Sequence, residues 1–246
     1  MSQRTVAVVP ARLGSSRFAG KVLFPFRGRP LICVLLAELA KSQEIDELLV
    51  ATDSKEISRA VTAAGYVSVM TSKRHRTGTD RAAEAMAGRK ADIVLNIQAD
   101  NFGLKAAGLD RVIRQFQGDS EPIGTLARPI TDRDELLDPN SVKVVMNRAH
   151  HALWFSRLPL PYLQGVRQAQ WPGHFRYWHH IGVYLFRRKA LDQFAEWKRS
   201  ALEKAESLEQ LRILENGGRL RVYRTRSRAI SIDAPRDLKK LERWYR

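Results

Sequence analysis

The chain has 246 residues, long enough for one sizeable α/β domain, and 44% of them are hydrophobic, which is ordinary for a globular protein. No apolar run approaches the roughly 18 residues of a membrane span, the N-terminal apolar segment is too short for a secretion signal, and the single Cys33 excludes an internal disulfide framework, so the composition points to the cytoplasm. Lys and Arg number 42 against 26 Asp and Glu, a formal charge of +16, yet no block of five cations, zinc-finger spacing or heptad array occurs; this argues against nucleic acid and for a polyanionic small substrate.

Val6 to Val9 read as a buried strand that stops at Pro10. The loop after it carries Arg12, Gly14, Ser15, Ser16, Arg17, Gly20 and Lys21. Cations among small residues suit a phosphate cradle: backbone N–H groups can approach the ligand while Arg and Lys neutralise its charge. The spacing matches neither G-x-x-x-x-G-K-[ST] nor G-x-G-x-x-G. Residues 30–40 follow as a buried helix with Pro30 near its first turn. A strand over 48–51, a helix over 55–64 capped by Asp53 or Ser54, and a strand over 66–70 come next. This alternation predicts an α/β fold with a mixed, mostly parallel sheet flanked by helices.

The loop 71–81 leads into a helix that Gly88 should end, and its start at Thr79 and Arg81 offers N–H groups to an anion or a base carbonyl. The apolar strand 93–97 delivers Gln98 and Asp100 at its carboxyl end, where doubly wound sheets bind ligands. A carboxylate there, beside a phosphate cradle, is well placed to hold Mg²⁺. An amphipathic helix around 109–116, a strand over 122–129, a short helix over 132–137 and a strand over 142–146 follow. Lys143 on the last of these reads as compatible with a solvated edge strand.

Residues 152–162 are rich in aromatics and prolines and read as a rigid extended segment. They open a smaller lobe at about 152–173 within a single 1–246 domain, and 165–173 reads as a mobile loop. Arg157 suits a carboxylate, which a guanidinium grips in bidentate fashion. On the strand 179–186, His180, Gly182 and Tyr184 share one face by period-two alternation. A helix over 205–217 buries Leu208, Leu211 and Leu214 and turns Glu209 and Gln210 to another side. A strand over 219–225 and a last helix after Pro235, which Asp233 could cap, close the chain.

Eight runs carry a resemblance: PARLGSSRFAGK (10–21), HRTGTDR (75–81), NIQAD (96–100), DPNSVKVV (138–145), SRLPLP (156–161), HIGVY (180–184), ESLEQLRILENG (206–217) and IDAPRDL (232–238). In this order they resemble the sugar-activating cytidylyltransferases, and within them the 3-deoxy-manno-octulosonate (KDO) cytidylyltransferase family. The resemblance implies a nucleotide-diphospho-sugar transferase fold and a homodimer, with the aromatic and proline segment as a plausible interface. It also implies transfer of CMP from CTP to an acidic acceptor, KDO first among them, with release of pyrophosphate.

By the same resemblance Arg12, Gly14, Ser15, Arg17 and Lys21 hold the phosphates, and Arg76, Thr77, Gly78, Thr79, Arg81 and Gln98 seat the nucleotide. Asp100 and Asp233 hold Mg²⁺ and, with Arg12 and Lys21, form the catalytic set. Gln98, Arg157, His180, Tyr184, Glu209 and Gln210 contact the acceptor. Two departures stand out: Asn101-Phe102 replaces the family's Glu-Pro, and Ala234-Pro235-Arg236 replaces Thr-Pro-Glu. They leave open another ulosonic acid or a small phosphonate as acceptor, and also a non-catalytic relative that binds nucleotide or RNA.

Overall fold

The computed structural model describes residues 3–14, 18, 20–227, 230–232 and 237–244. Ser15, Arg17 and Asp233 among the candidate residues, and 234–236 among the departures, lie outside that set. The chain divides into two compact units, the first made of Met1–Ser120, Val183–Ala195 and Ser227–Arg246, the second of Glu121–Gly182 and Glu196–Arg226. The segment expected as a lobe, 152–173, falls within the second unit.

In chain order the first unit begins with β1 (Thr5–Ala11), which is buried over its first five residues. The strand was expected to stop at Pro10, but Pro10 and Ala11 stay in register with Ala51 and Thr52. Pairing of β1 on its other side ends at Val8, so beyond it the chain needs bonds on one side only and the missing proline N–H is tolerated. A short hairpin of β2 (Pro25–Phe26) and β3 (Arg29–Pro30) follows, turning through Arg27 and Gly28 at φ 49° and 75°. Helix α1 (Leu31–Leu39) then starts directly after Pro30.

Strand β4 (Glu47–Thr52) and α2 (Lys55–Ala63) follow, and it is Ser54 rather than Asp53 that caps α2, accepting the Ile57 N–H at 3.3 Å. Next come β5 (Val67–Met70), α3 (Gly78–Ala85), the fully buried β6 (Ile93–Ile97), β7 (Asn101–Phe102) and α4 (Ala106–Gln117). On α4 Leu109, Val112, Ile113 and Phe116 face inward, as their spacing predicts.

The second unit opens with β8 (Ile123–Pro129), α5 (Arg133–Leu137), β9 (Lys143–Met146) and β10 (Ala152–Ser156). The first half of the segment expected to be extended and rigid is thus a true strand, antiparallel to β9. The expected mobile loop contains α6 (Trp171–His174) instead. Trp171 is buried with Ile130, Leu136 and Tyr177, and its indole N–H donates to the Val166 carbonyl at 3.0 Å. An aromatic of that size, inside an apolar cluster, fixes the segment.

Strand β11 (Trp178–Arg187) ends one unit and enters the other, leading to α7 (Arg188–Glu196). The helix expected over 205–217 is two helices, α8 (Ala201–Glu206) and α9 (Leu211–Glu215), broken where Ser207 turns left-handed at φ 53°. Strand β12 (Arg221–Arg224) lies parallel to β8, and β13 (Ile230–Ser231) and α10 (Leu238–Trp244) complete the chain.

Within the first unit β5, β4, β1 and β6 run parallel in that order, and Val183–Arg187 of β11 is antiparallel beside β6. Helix α2 packs on β4 and β5, and α3 on β1 and β4. This is the mixed, mostly parallel sheet flanked by helices that the sequence predicts.

Candidate active site

The parallel strands of the first unit end at Ala11, Thr52, Met70 and Ile97, so Arg12, Asp53, Thr71, Gln98 and Asp100 all lie just past carboxyl ends. Lys21 begins a single 3₁₀ turn after Gly20, whose left-handed φ of 67° would strain any other residue. From there its ammonium donates to Asp100 Oδ2 at 3.2 Å and to the Ile232 carbonyl at 2.8 Å. Strand β13 reaches the same place by pairing with β7, Ile230 opposite Phe102 and Ser231 opposite Asn101. One lysine thus joins the loop after β1, the carboxylate after β6 and the segment just before Asp233.

Phe102, the bulky half of the first departure, is buried at 2% exposure, and Asn101 is buried beside it. The ring therefore fills core space. Arg12 and Gly14 are exposed, and a Cβ added at Gly14 would meet nothing within 4 Å, so packing does not require glycine there.

Helix α3 starts at Thr77, whose hydroxyl caps it by accepting the Asp80 N–H at 3.2 Å. Thr79 is pinned to the sheet, accepting from Asn96 Nδ2 at 2.8 Å. Arg81 is buried at 3% exposure, with its guanidinium on Thr71 Oγ1 at 2.6 Å and Asp53 Oδ2 at 3.0 Å. It ties two strand ends to α3, a role its position alone did not reveal. Arg76 is exposed on the loop, while His75 pairs with Glu84, which also accepts the Ser72 N–H at 2.8 Å. Burial works against the charge on Glu84, but the bonds from Ser72 and His75 outweigh it and lower its pKa.

Among the acceptor candidates, Gln98 and Tyr184 belong to the first unit and Arg157, His180, Glu209 and Gln210 to the second. Glu209 and Gln210 were expected on an accessible helix face. They sit instead between α8 and α9, buried at 8% and 2% exposure, because the break at Ser207 turns them inward. Tyr184 is also buried. Arg157 donates through Nε to the Glu206 carbonyl at 2.8 Å and through Nη1 to the Pro139 carbonyl at 2.9 Å. His180 meets Thr125 Oγ1 at 2.8 Å and packs edge-on against Phe155.

Burial, with a smaller push from His179, drives the His180 pKa down to about 3, so the ring is neutral wherever the protein is folded and near neutral pH. An unfolded histidine takes a proton near 6.5, so stability is full above that value and is lost as pH falls toward 3. Between pH 6.5 and 4.5, His180 alone should cost on the order of 2–3 kcal/mol. Denaturant titrations across that window should show the decline, and His180→Gln should flatten it; equal slopes for both proteins would refute the assignment.

A family model described as cytidylyltransferase matches residues 6–228. The 3-deoxy-manno-octulosonate cytidylyltransferase of Geotalea uraniireducens is 40% identical over 244 residues, covering 97% of each chain. That of Bdellovibrio bacteriovorus is 41% identical over 243 residues, covering 98% of this chain and 97% of its own. Among solved structures, a CMP:2-keto-3-deoxy-manno-octonic acid synthetase complexed with CTP superposes with a TM-score of 0.88 at 34% identity, covering 98% of both chains. The inositol-1-phosphate CTP transferase of T. maritima, at 16% identity and a TM-score of 0.71, shares the fold over 99% of this chain and 95% of its own. Motif order, strand-end geometry and likeness over nearly the full length converge: the chain belongs to the 3-deoxy-manno-octulosonate cytidylyltransferase family.

Proposed function

We infer that this chain moves CMP from CTP to KDO and releases pyrophosphate. The observation that carries the reading is the meeting of Lys21, Asp100 and the Ile232 carbonyl at the carboxyl end of β6, in a chain this similar to KDO cytidylyltransferases. The acceptor's anomeric hydroxyl attacks the α-phosphorus in line and the bond to pyrophosphate breaks. Catalysis of that step is mostly positioning and charge neutralisation. Arg12, Arg17 and Lys21 serve the phosphates, with Gly14 and Ser15 of the same loop. Arg76, Thr77, Gly78 and Thr79 seat the nucleotide, and Arg81 holds the ground beneath them. Gln98, Arg157, His180, Tyr184, Glu209 and Gln210 keep their proposed role toward the acceptor.

Asp100 fits Mg²⁺ on its chemistry: a hard carboxylate at a strand end, part exposed and already drawing a cation, the Lys21 ammonium, to 3.2 Å. With Asp233 it would hold the ion, which when bound polarises phosphoryl oxygen. Among the described residues no helix is long and apolar enough to cross a membrane. A cytoplasmic homodimer is part of the proposal. The buried thiol of Cys33 suits a reducing compartment, and exposed Leu153, Leu158, Tyr162 and Phe175 suit a subunit contact.

The test is pyrophosphate release with CTP or ATP against KDO, another ulosonic acid and a small phosphonate. CTP with KDO should dominate. Equal rates with ATP would overturn the nucleotide assignment, and preference for the phosphonate would overturn the acceptor.

A further inference from the structure

Lys143 was expected to solvate an edge strand, but β9 lies between β10 and β11, with Lys143 opposite His179, and the lysine is buried at 1% exposure. Its ammonium donates to two backbone carbonyls, Asp138 at 2.7 Å and Arg157 at 2.9 Å. Burying an ammonium is costly, and a methionine of similar length would fill the space without that cost. Burial pulls its pKa down to about 8, against the pull of Asp138 and Glu135. A second cation, Arg157, stands beside it.

Arg157 is held through its backbone and through two of its three guanidinium nitrogens. Its N–H donates to Glu206 Oε2 at 3.1 Å, its carbonyl accepts from Lys143, and its guanidinium spans the Glu206 and Pro139 carbonyls. The Asp138-Pro139 turn is therefore tied to Arg157 twice, once through Lys143 and once through Nη1. Arg157 Nη2 makes no bond to the described residues, so a donor is left for an incoming anion. A long flexible side chain binds a planar carboxylate well only if its orientation is set beforehand.

We propose that Lys143 is a positioning residue for acceptor recognition: from its buried place it clamps the Asp138 turn to the Arg157 backbone and so holds the guanidinium ready for the acceptor's carboxylate. This rests on the reading that Arg157 binds that carboxylate. The experiment compares Lys143→Met, Arg157→Ala and the double variant at saturating CTP, with thermal melts of each. Lys143→Met should raise the acceptor KM about tenfold while kcat and the CTP KM stay within about twofold. Arg157→Ala should raise it at least as much, and the double variant should be no worse than Arg157→Ala alone. Lys143→Gln, which keeps a donor, should recover part of the loss. A normal acceptor KM in Lys143→Met alongside a raised one in Arg157→Ala overturns the proposal alone. A normal KM in Arg157→Ala overturns the carboxylate reading itself. Additive effects in the double variant, or failure of both Lys143 variants to fold, would make Lys143 a structural residue and overturn its positioning role.

Discussion

Asp100→Asn should lower CMP transfer by about a thousandfold or more while leaving the protein folded. The substitution keeps the shape and removes the charge. That charge faces the Lys21 ammonium at 3.2 Å with the Asp100 side chain 30% exposed, so its loss should cost only about 1 kcal/mol of stability. On the proposed reading turnover suffers far more, because the Mg²⁺ that Asp100 and Asp233 would hold together loses one of its carboxylates, and Lys21 loses a partner at 3.2 Å. Pyrophosphate release at saturating CTP and KDO, with a thermal melt of the same preparation, separates the two effects. Near-normal turnover would remove Asp100 from the metal set. A collapse of the melt with the activity would make it a structural residue.

The second large effect is on stability. Glu203 and Arg212, each 1% exposed, form a two-pronged ion pair across α8 and α9, with Nε to Oε2 and Nη2 to Oε1 both at 2.8 Å. Glu203 also accepts from Arg199 at 3.0 Å and completes a capping box with Ser200. Burial opposes its charge, but the Arg212 and Arg199 bonds prevail and lower its pKa. Glu203→Ala leaves a buried guanidinium without its carboxylate, a change worth roughly 3–5 kcal/mol. For a chain of this size that is a fall of about 6–15 °C in Tm. Replacing both partners, Glu203→Leu with Arg212→Met, should recover most of it, since neither charge is then stranded. If the single variant melts with the wild type, the pair carries no net stability. Because Glu209 and Gln210 sit between these helices, the single variant should also weaken acceptor binding more than CTP binding.

Much of this protein was legible in its residues. The order of the main strands and helices through α4, leaving aside the 3₁₀ turn at Lys21 and the two-residue strands β2, β3 and β7, comes from local periodicity, caps and glycines, which depend on neighbours a few positions away. The position of Asp100 could be read because the short apolar run Ile93–Ile97, rich in β-branched residues, suits a buried strand, and residues just past the carboxyl end of such a strand lie where ligands bind in sheets of this kind. Contacts between distant positions required three dimensions. Lys21 reaches Asp100 across 79 residues and Ile232 across 211, and no local pattern encodes such a meeting. Nor could the helix over 205–217 be known to break, since its apolar spacing is continuous and nothing local marks Ser207, an exposed serine, for the left-handed turn at φ 53° that separates α8 from α9. Lys143 shows the same limit: a lysine at a strand end reads as solvated, and only two carbonyls brought in from Asp138 and Arg157 make its burial tolerable. Local sequence determines which elements form. The environment of a buried polar group is set by whatever the fold packs against it, and that is decided by tertiary contacts.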